Sequence, residues 1–85
     1  MAVYPRAHLI DVMRTRARRS LRQARSWREE AGAFMSYFTP RQCRAHARQE
    51  LLRAGCYRRR LLVFMNEPGQ YVTKERHDQI MRGQW

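Results

Sequence analysis

The side chains able to do chemistry on another molecule are few in kind. Cys43, His46, Cys56 and His77 are the ligand types of a two-cysteine, two-histidine zinc site, but structural zinc sites use tightly paired ligands, and only Cys43 and His46 lie close in sequence. The spacing predicts core thiols and surface histidines, with no metal. Twelve residues separate the two cysteines, which fits neither a paired-cysteine redox motif nor a twin-cysteine helical hairpin. Two buried thiols in a reducing compartment are the expectation. Glu29 and Glu30 are adjacent and would face different directions on a helix, so they do not form an acid/base pair. With no glycine-rich phosphate loop and no Ser/His/Asp arrangement, the chain is expected to be non-enzymatic and to need no cofactor.

What remains is arginine. Seventeen arginines and one lysine face seven acids, for a formal charge of +11. Residues 1–60 carry all of it: Lys74, Arg76 and Arg82 balance Glu67, Glu75 and Asp78 in the rest. Guanidinium groups suit bidentate contacts to phosphate or carboxylate, and so much like charge on a small chain repels itself unless an anion lies against it. Arg14, Arg16, Arg18, Arg19, Arg22, Arg25, Arg58, Arg59 and Arg60 are the candidate partner-binding residues. The partner classes that fit are an acidic protein surface, anionic lipid heads, or RNA, with Tyr37 or Tyr57 able to stack on a base. No zinc finger, RNA-recognition signature or helix-turn-helix pattern specifies a nucleic-acid sequence.

Helices must position these groups. From Pro5 to about Phe34, apolar or small residues recur at Ile10, Met13, Ala17, Ser20, Ala24, Trp27, Ala31 and Phe34, the steps of three and four that define one long helix with a narrow seam. Arg14, Arg18, Arg22 and Arg25 form a stripe beside it. Thr39-Pro40-Arg41-Gln42 reads as a second start: threonine caps, proline takes the first helical position, and Gln42 reaches back. That helix is predicted to run to Ala54, with Cys43, Ala47 and Leu51 inward and Arg41, Arg44 and Arg48 outward, and to end at Gly55. Tyr57, Leu61, Phe64 and Met65 are spaced for a third, short helix. Asn66-Glu67-Pro68-Gly69 is a turn, and Thr73 caps a last helix from Lys74 to Arg82 that Gly83 closes. The fold class is therefore all-α: a long basic N-terminal helix on two shorter ones, then a turn and a short C-terminal helix. Residues 1–66 form a basic helical domain, and residues 67–85 a neutral extension that lies across a neighbour. The helix-packing residues are expected to be Met13, Ala17, Ala24, Trp27, Phe34, Leu51 and Leu61.

Length and composition set the remaining bounds. Eighty-five residues form at most one domain and bury too little to be comfortably stable alone, so folding completed by docking on a larger assembly is expected. The longest apolar run, Leu61 to Met65, is far too short to span a bilayer. The first 28 residues hold eight arginines and one acid in an amphipathic setting, the composition of a mitochondrial import signal, here expected to remain part of the fold.

Three stretches resemble the LYR-motif proteins of mitochondria, small basic three-helix proteins that include accessory subunits and assembly factors of respiratory complexes. Val12-Met13-Arg14 stands where that family has its leucine-tyrosine-arginine triplet, with Arg18 one turn on. Leu21-Arg22-Gln23-Ala24-Arg25-Ser26-Trp27 is similar to the end of the first helix in the LYR-type accessory subunit of complex I. Tyr37-Phe38 with Arg41, Arg44 and Arg48 resembles the family's second helix, and Leu51-Leu52-Arg53-Ala54-Gly55 with Leu61 its third. The resemblance covers roughly residues 9–65. It implies a mitochondrial, matrix-side or inner-membrane-associated accessory or assembly subunit of a respiratory-chain complex, complex I being favoured. Its partners would be subunits of that assembly, with acyl carrier protein or anionic lipid among the candidates. The alternative from the residues themselves is a small mitochondrial ribosomal protein that clamps rRNA through its arginine-rich helices.

Overall fold

The computed structural model describes residues 2–85. Three helices and two short strands follow in the order β1 (Val3–Pro5), α1 (Arg6–Ala31), α2 (Pro40–Asn66), β2 (Tyr71–Thr73) and α3 (Lys74–Met81). The long α1 packs along α2 as an antiparallel hairpin, since the start of α1 shares a cluster with the end of α2 while Trp27, near the end of α1, meets His46, near the start of α2. The result is a rod of 53 × 20 × 20 Å.

Three of the helix ends have a clear local cause. At the start of α2, the Thr39 hydroxyl accepts from the Gln42 amide at 3.1 Å and the Gln42 side chain accepts from the Thr39 amide at 2.9 Å, the reciprocal box read from the sequence. Thr73 caps α3 by accepting from the Arg76 amide at 3.2 Å. Gly83, at φ +77, closes α3 in the left-handed region, with its amide on Ile80 and that of Gln84 on Gln79, the two bonds of a Schellman ending. Thr39→Ala is expected to lower stability by about 1 kcal/mol, because it removes the hydroxyl that accepts from the Gln42 amide. Urea unfolding of the variant against Thr39→Ser, which keeps the hydroxyl, measures it.

Gly55 does not end a helix. Residues predicted as a second and a third helix are one element, Pro40–Asn66. Glycine stops a helix when it turns to positive φ, which only Gly69 and Gly83 do. Within a helix it costs about 1 kcal/mol relative to alanine. The packing of Tyr57, Leu61 and Phe64 on the start of α1 outweighs that. A second departure is the sheet: β1 pairs antiparallel with β2 in the register Val3↔Thr73, Tyr4↔Val72 and Pro5↔Tyr71. Pro5 therefore lies just before α1 and not in its first turn.

The core is uneven along the rod. At one end Leu9, Met13, Phe64, Val72 and Ile80 form a buried cluster, so residues 67–85 fold back onto the hairpin. Along the middle the helices meet through small side chains, Ala17, Ser20 and Ala24 on α1 and Cys43, Ala47 and Ala54 on α2. At the far end Trp27 stacks on His46 with ring centroids 4.4 Å apart, and Phe38 sits edge-on to Trp27 at 5.2 Å. Beyond lies the turn joining the two helices.

Candidate functional site

The arginines divide by what they already touch. Arg53 pairs locally with Glu50 at 2.7 Å, and three others join parts of the chain that lie apart in sequence. Arg6 donates to the Met65 carbonyl at 3.0 Å and Arg60 to the Met81 carbonyl at 3.0 Å, so each satisfies the open C-terminal end of a helix. Arg76 binds Glu67 at 2.6 Å and ties α3 to the end of α2. Arg60, taken from the sequence as a partner-binding residue, thus holds α3 in place. Its role depends on the return of residues 67–85, which nothing in the spacing around it announces.

The other candidate arginines are exposed. Arg14 makes a loose contact with Asp11 at 3.9 Å, and Arg59 reaches the Cys56 sulfur at 3.3 Å. Arg16, Arg18, Arg19, Arg22, Arg25 and Arg58 have no ion pair among the described residues. At 100° per residue, Arg14, Arg18, Arg22 and Arg25 centre about 140° round α1 from its buried line, on the side turned away from α2. They crown the outer surface of α1, while Arg16 and Arg19 cover its other flank.

On α2 charge and apolar surface are interleaved. Leu52 is 66% exposed and Leu62 58% exposed, on the same side as Arg58 and Arg59. Gly55 lies at the centre of this strip, one turn from Leu51, Leu52, Arg58 and Arg59. A Cβ added there would meet nothing within 4 Å, so no packing inside the chain requires glycine. The bare backbone opens a notch between leucines and guanidinium groups. Towards the hairpin turn, Arg28, Arg44 and Arg48 border a groove of about 620 Å³ floored by Gly32, Ala47 and Leu51.

The predicted helix-packing residues separate in the same way. Met13, Ala17 and Ala24 are buried in the seam, and Trp27 and Leu61 are half-buried at opposite ends of it. Phe34 is a correction: α1 ends at Ala31, so Phe34 falls in the turn and is fully exposed. Leu51 is another, lying on the outer flank of α2 where it lines the groove. The possible metal ligands are dispersed, His46 against Trp27 at one end and His77 against Tyr4 and Phe64 at the other. Cys43 is buried and Cys56 half-buried, both as free thiols. His77 Nδ1 donates to the Asp78 carboxylate at 3.0 Å, and this bond holds the Asp78 carboxyl below its ordinary range; burial opposes it, and the charge of Lys74 adds a smaller lowering effect.

Among the described residues no helix is long and apolar enough to cross a membrane. Comparison with protein-family models, with curated proteins and with solved structures finds no match.

Proposed function

We propose that the chain is a non-enzymatic accessory or assembly subunit of a larger protein complex, bound to an acidic protein surface through the outer face of α2 and the arginine crown of α1. The observation that carries this reading is the strip of Leu52, Leu62, Arg58 and Arg59 around Gly55. Phosphate backbone calls for cations alone, whereas exposed leucines among arginines match a partner helix with an apolar line flanked by carboxylates. The notch at Gly55 admits such a helix at close range. The LYR-type resemblance and the basic, acid-poor first 28 residues favour a respiratory-chain complex of mitochondria as that assembly. The middle of the hairpin, where an acyl chain would have to lie between the helices, is filled by Ala17, Ser20 and Ala24 against Cys43, Ala47 and Ala54.

One feature favours the rRNA reading as the second. Arg16 and Arg19 lie on a different flank of α1 from the crown, so charge encircles the exposed part of that helix, as a chain embedded in RNA requires. Isolation of the native assembly through a tagged chain separates the two. Leu52→Glu with Leu62→Glu is expected to abolish co-purification of its protein neighbours and leave the helical content unchanged, since both positions are exposed. Nuclease treatment is expected to leave the wild-type chain bound. Release by nuclease together with sedimentation alongside ribosomal subunits would overturn the protein-surface reading in favour of rRNA.

A further inference from the structure

The most exposed apolar surface of the molecule is at the tip of the hairpin and takes no part in the function proposed above. In the turn between α1 and α2, Phe34 and Tyr37 are fully exposed and Met35 is 84% exposed. They are not left over from a core, because the seam ends beneath them in the stack of Trp27, His46 and Phe38. That stack gives the turn a firm base. A rod 20 Å across thus presents three large apolar side chains at one end. Soluble chains bury or dilute such a cluster unless it meets an apolar phase or partner.

Charge around the tip points to what that phase is. Residues 25–48 hold Arg25, Arg28, Arg41, Arg44 and Arg48 against Glu29 and Glu30, and no acid lies between Ala31 and Gln49. All five arginines are exposed and none has an ion pair among the described residues. Arg28, Arg44 and Arg48 share the groove that runs up to Gly32 at the base of the turn. With helices rising 1.5 Å per residue, Arg28, Arg41 and Arg44 stand within about 7 Å of the helix ends along the axis. Apolar side chains at the extremity with guanidinium groups just behind them follow the layering of a bilayer surface, acyl chains first and phosphates next.

We propose that the α1–α2 tip is a docking device for a membrane surface rich in anionic phospholipid. Phe34, Met35 and Tyr37 enter the boundary between headgroups and acyl chains. Arg28, Arg44 and Arg48 receive the headgroup phosphates in the groove. The rod stands end-on or inclined on the membrane, leaving the outer face of α2 available to a protein.

The test uses the full chain at physiological salt with large vesicles of phosphatidylcholine alone, or of equal parts phosphatidylcholine and phosphatidylglycerol. Co-sedimentation is expected with the anionic vesicles and not with the neutral ones. Phe34→Ser, Met35→Ser and Tyr37→Ser together are expected to weaken it by about a hundred-fold. Arg28→Gln, Arg44→Gln and Arg48→Gln together are expected to weaken it by about ten-fold or more. Trp85→Phe leaves Trp27, at the base of the tip, as the reporting fluorophore, and its emission is expected to shift blue with anionic vesicles. Unchanged vesicle binding by the triple serine variant, with its helical circular dichroism intact, would show adsorption by charge alone and sink the proposal. So would failure of the wild-type chain to bind anionic vesicles. Loss of protein neighbours in the Leu52/Leu62 variant with vesicle binding retained bears only on the protein-surface reading, so the two fail separately.

Discussion

Phe64→Ala is expected to destabilise the chain by about 3–5 kcal/mol and to disconnect its C-terminal segment from the hairpin. Phe64 is wholly buried, and the cluster around it draws Leu9 and Met13 from α1, Val72 from β2 and Ile80 from α3. Removing the ring leaves a cavity where four elements meet, in a molecule whose remaining seam is mostly alanine. Small seams allow close approach but bury little area per residue, so this end supplies a disproportionate share of the hydrophobic stabilisation. A chain of this length is stabilised by roughly 4–13 kcal/mol in all, so the substitution removes a large fraction of the total. Urea unfolding followed by circular dichroism is the measurement, with Leu62→Ala on the same helix as the exposed control, expected within about 0.5 kcal/mol of wild type. Equal losses in the two variants would mean that the end cluster is not where stability resides.

The features legible in the sequence are those fixed by neighbours along the chain. Thr39 with Gln42, Thr73 with the Arg76 amide, and Gly83 after Met81 act over three or four residues, and each does what its type and position require. The seam residues Met13, Ala17, Ser20 and Ala24 were legible for the same reason, their spacing being that of one helical face. Gly55 was misread because its local preference competes with packing some ten residues away, by Phe64 on Met13. The strands were illegible: three residues show no periodicity, and Val3–Pro5 pairs with Tyr71–Thr73 across nearly the whole chain. The internal duties of Arg6 and Arg60 depend on that same closure, and by composition alone they cannot be told from Arg16 or Arg58. Phe34 is the instructive case. The periodic series carried it into the seam, although Gly32 before it and the Thr39 cap after it already marked the segment as a turn. An apolar cluster inside a turn lies at the surface and not in the core.

Ending the chain after Asn66 is expected to have the largest effect of any change considered, although the segment removed carries no net charge and lies beyond the basic helices. Residues 67–85 contribute Val72 and Ile80 to the cluster, the second strand of the sheet, and the Arg76–Glu67 bond of 2.6 Å. Their loss uncovers Phe64 and Met13, deprives Arg60 of the Met81 carbonyl, and leaves β1 with no partner. Burial of a valine or an isoleucine is worth about 1.5–3 kcal/mol each, before the newly exposed faces of Phe64 and Met13 are added. All +11 of the charge stays on what remains, so self-repulsion is undiminished while the burial that offsets it falls. The shortened chain is expected to lose its cooperative urea transition and much of its helical signal at low salt. Adding anionic vesicles or high salt is expected to restore helix in part, by relieving repulsion without replacing the core. A chain of residues 1–66 that unfolds cooperatively at the same urea midpoint as the full chain would show that the hairpin is stable by its seam alone. The C-terminal return would then be an appendage of the fold and not the element that closes it.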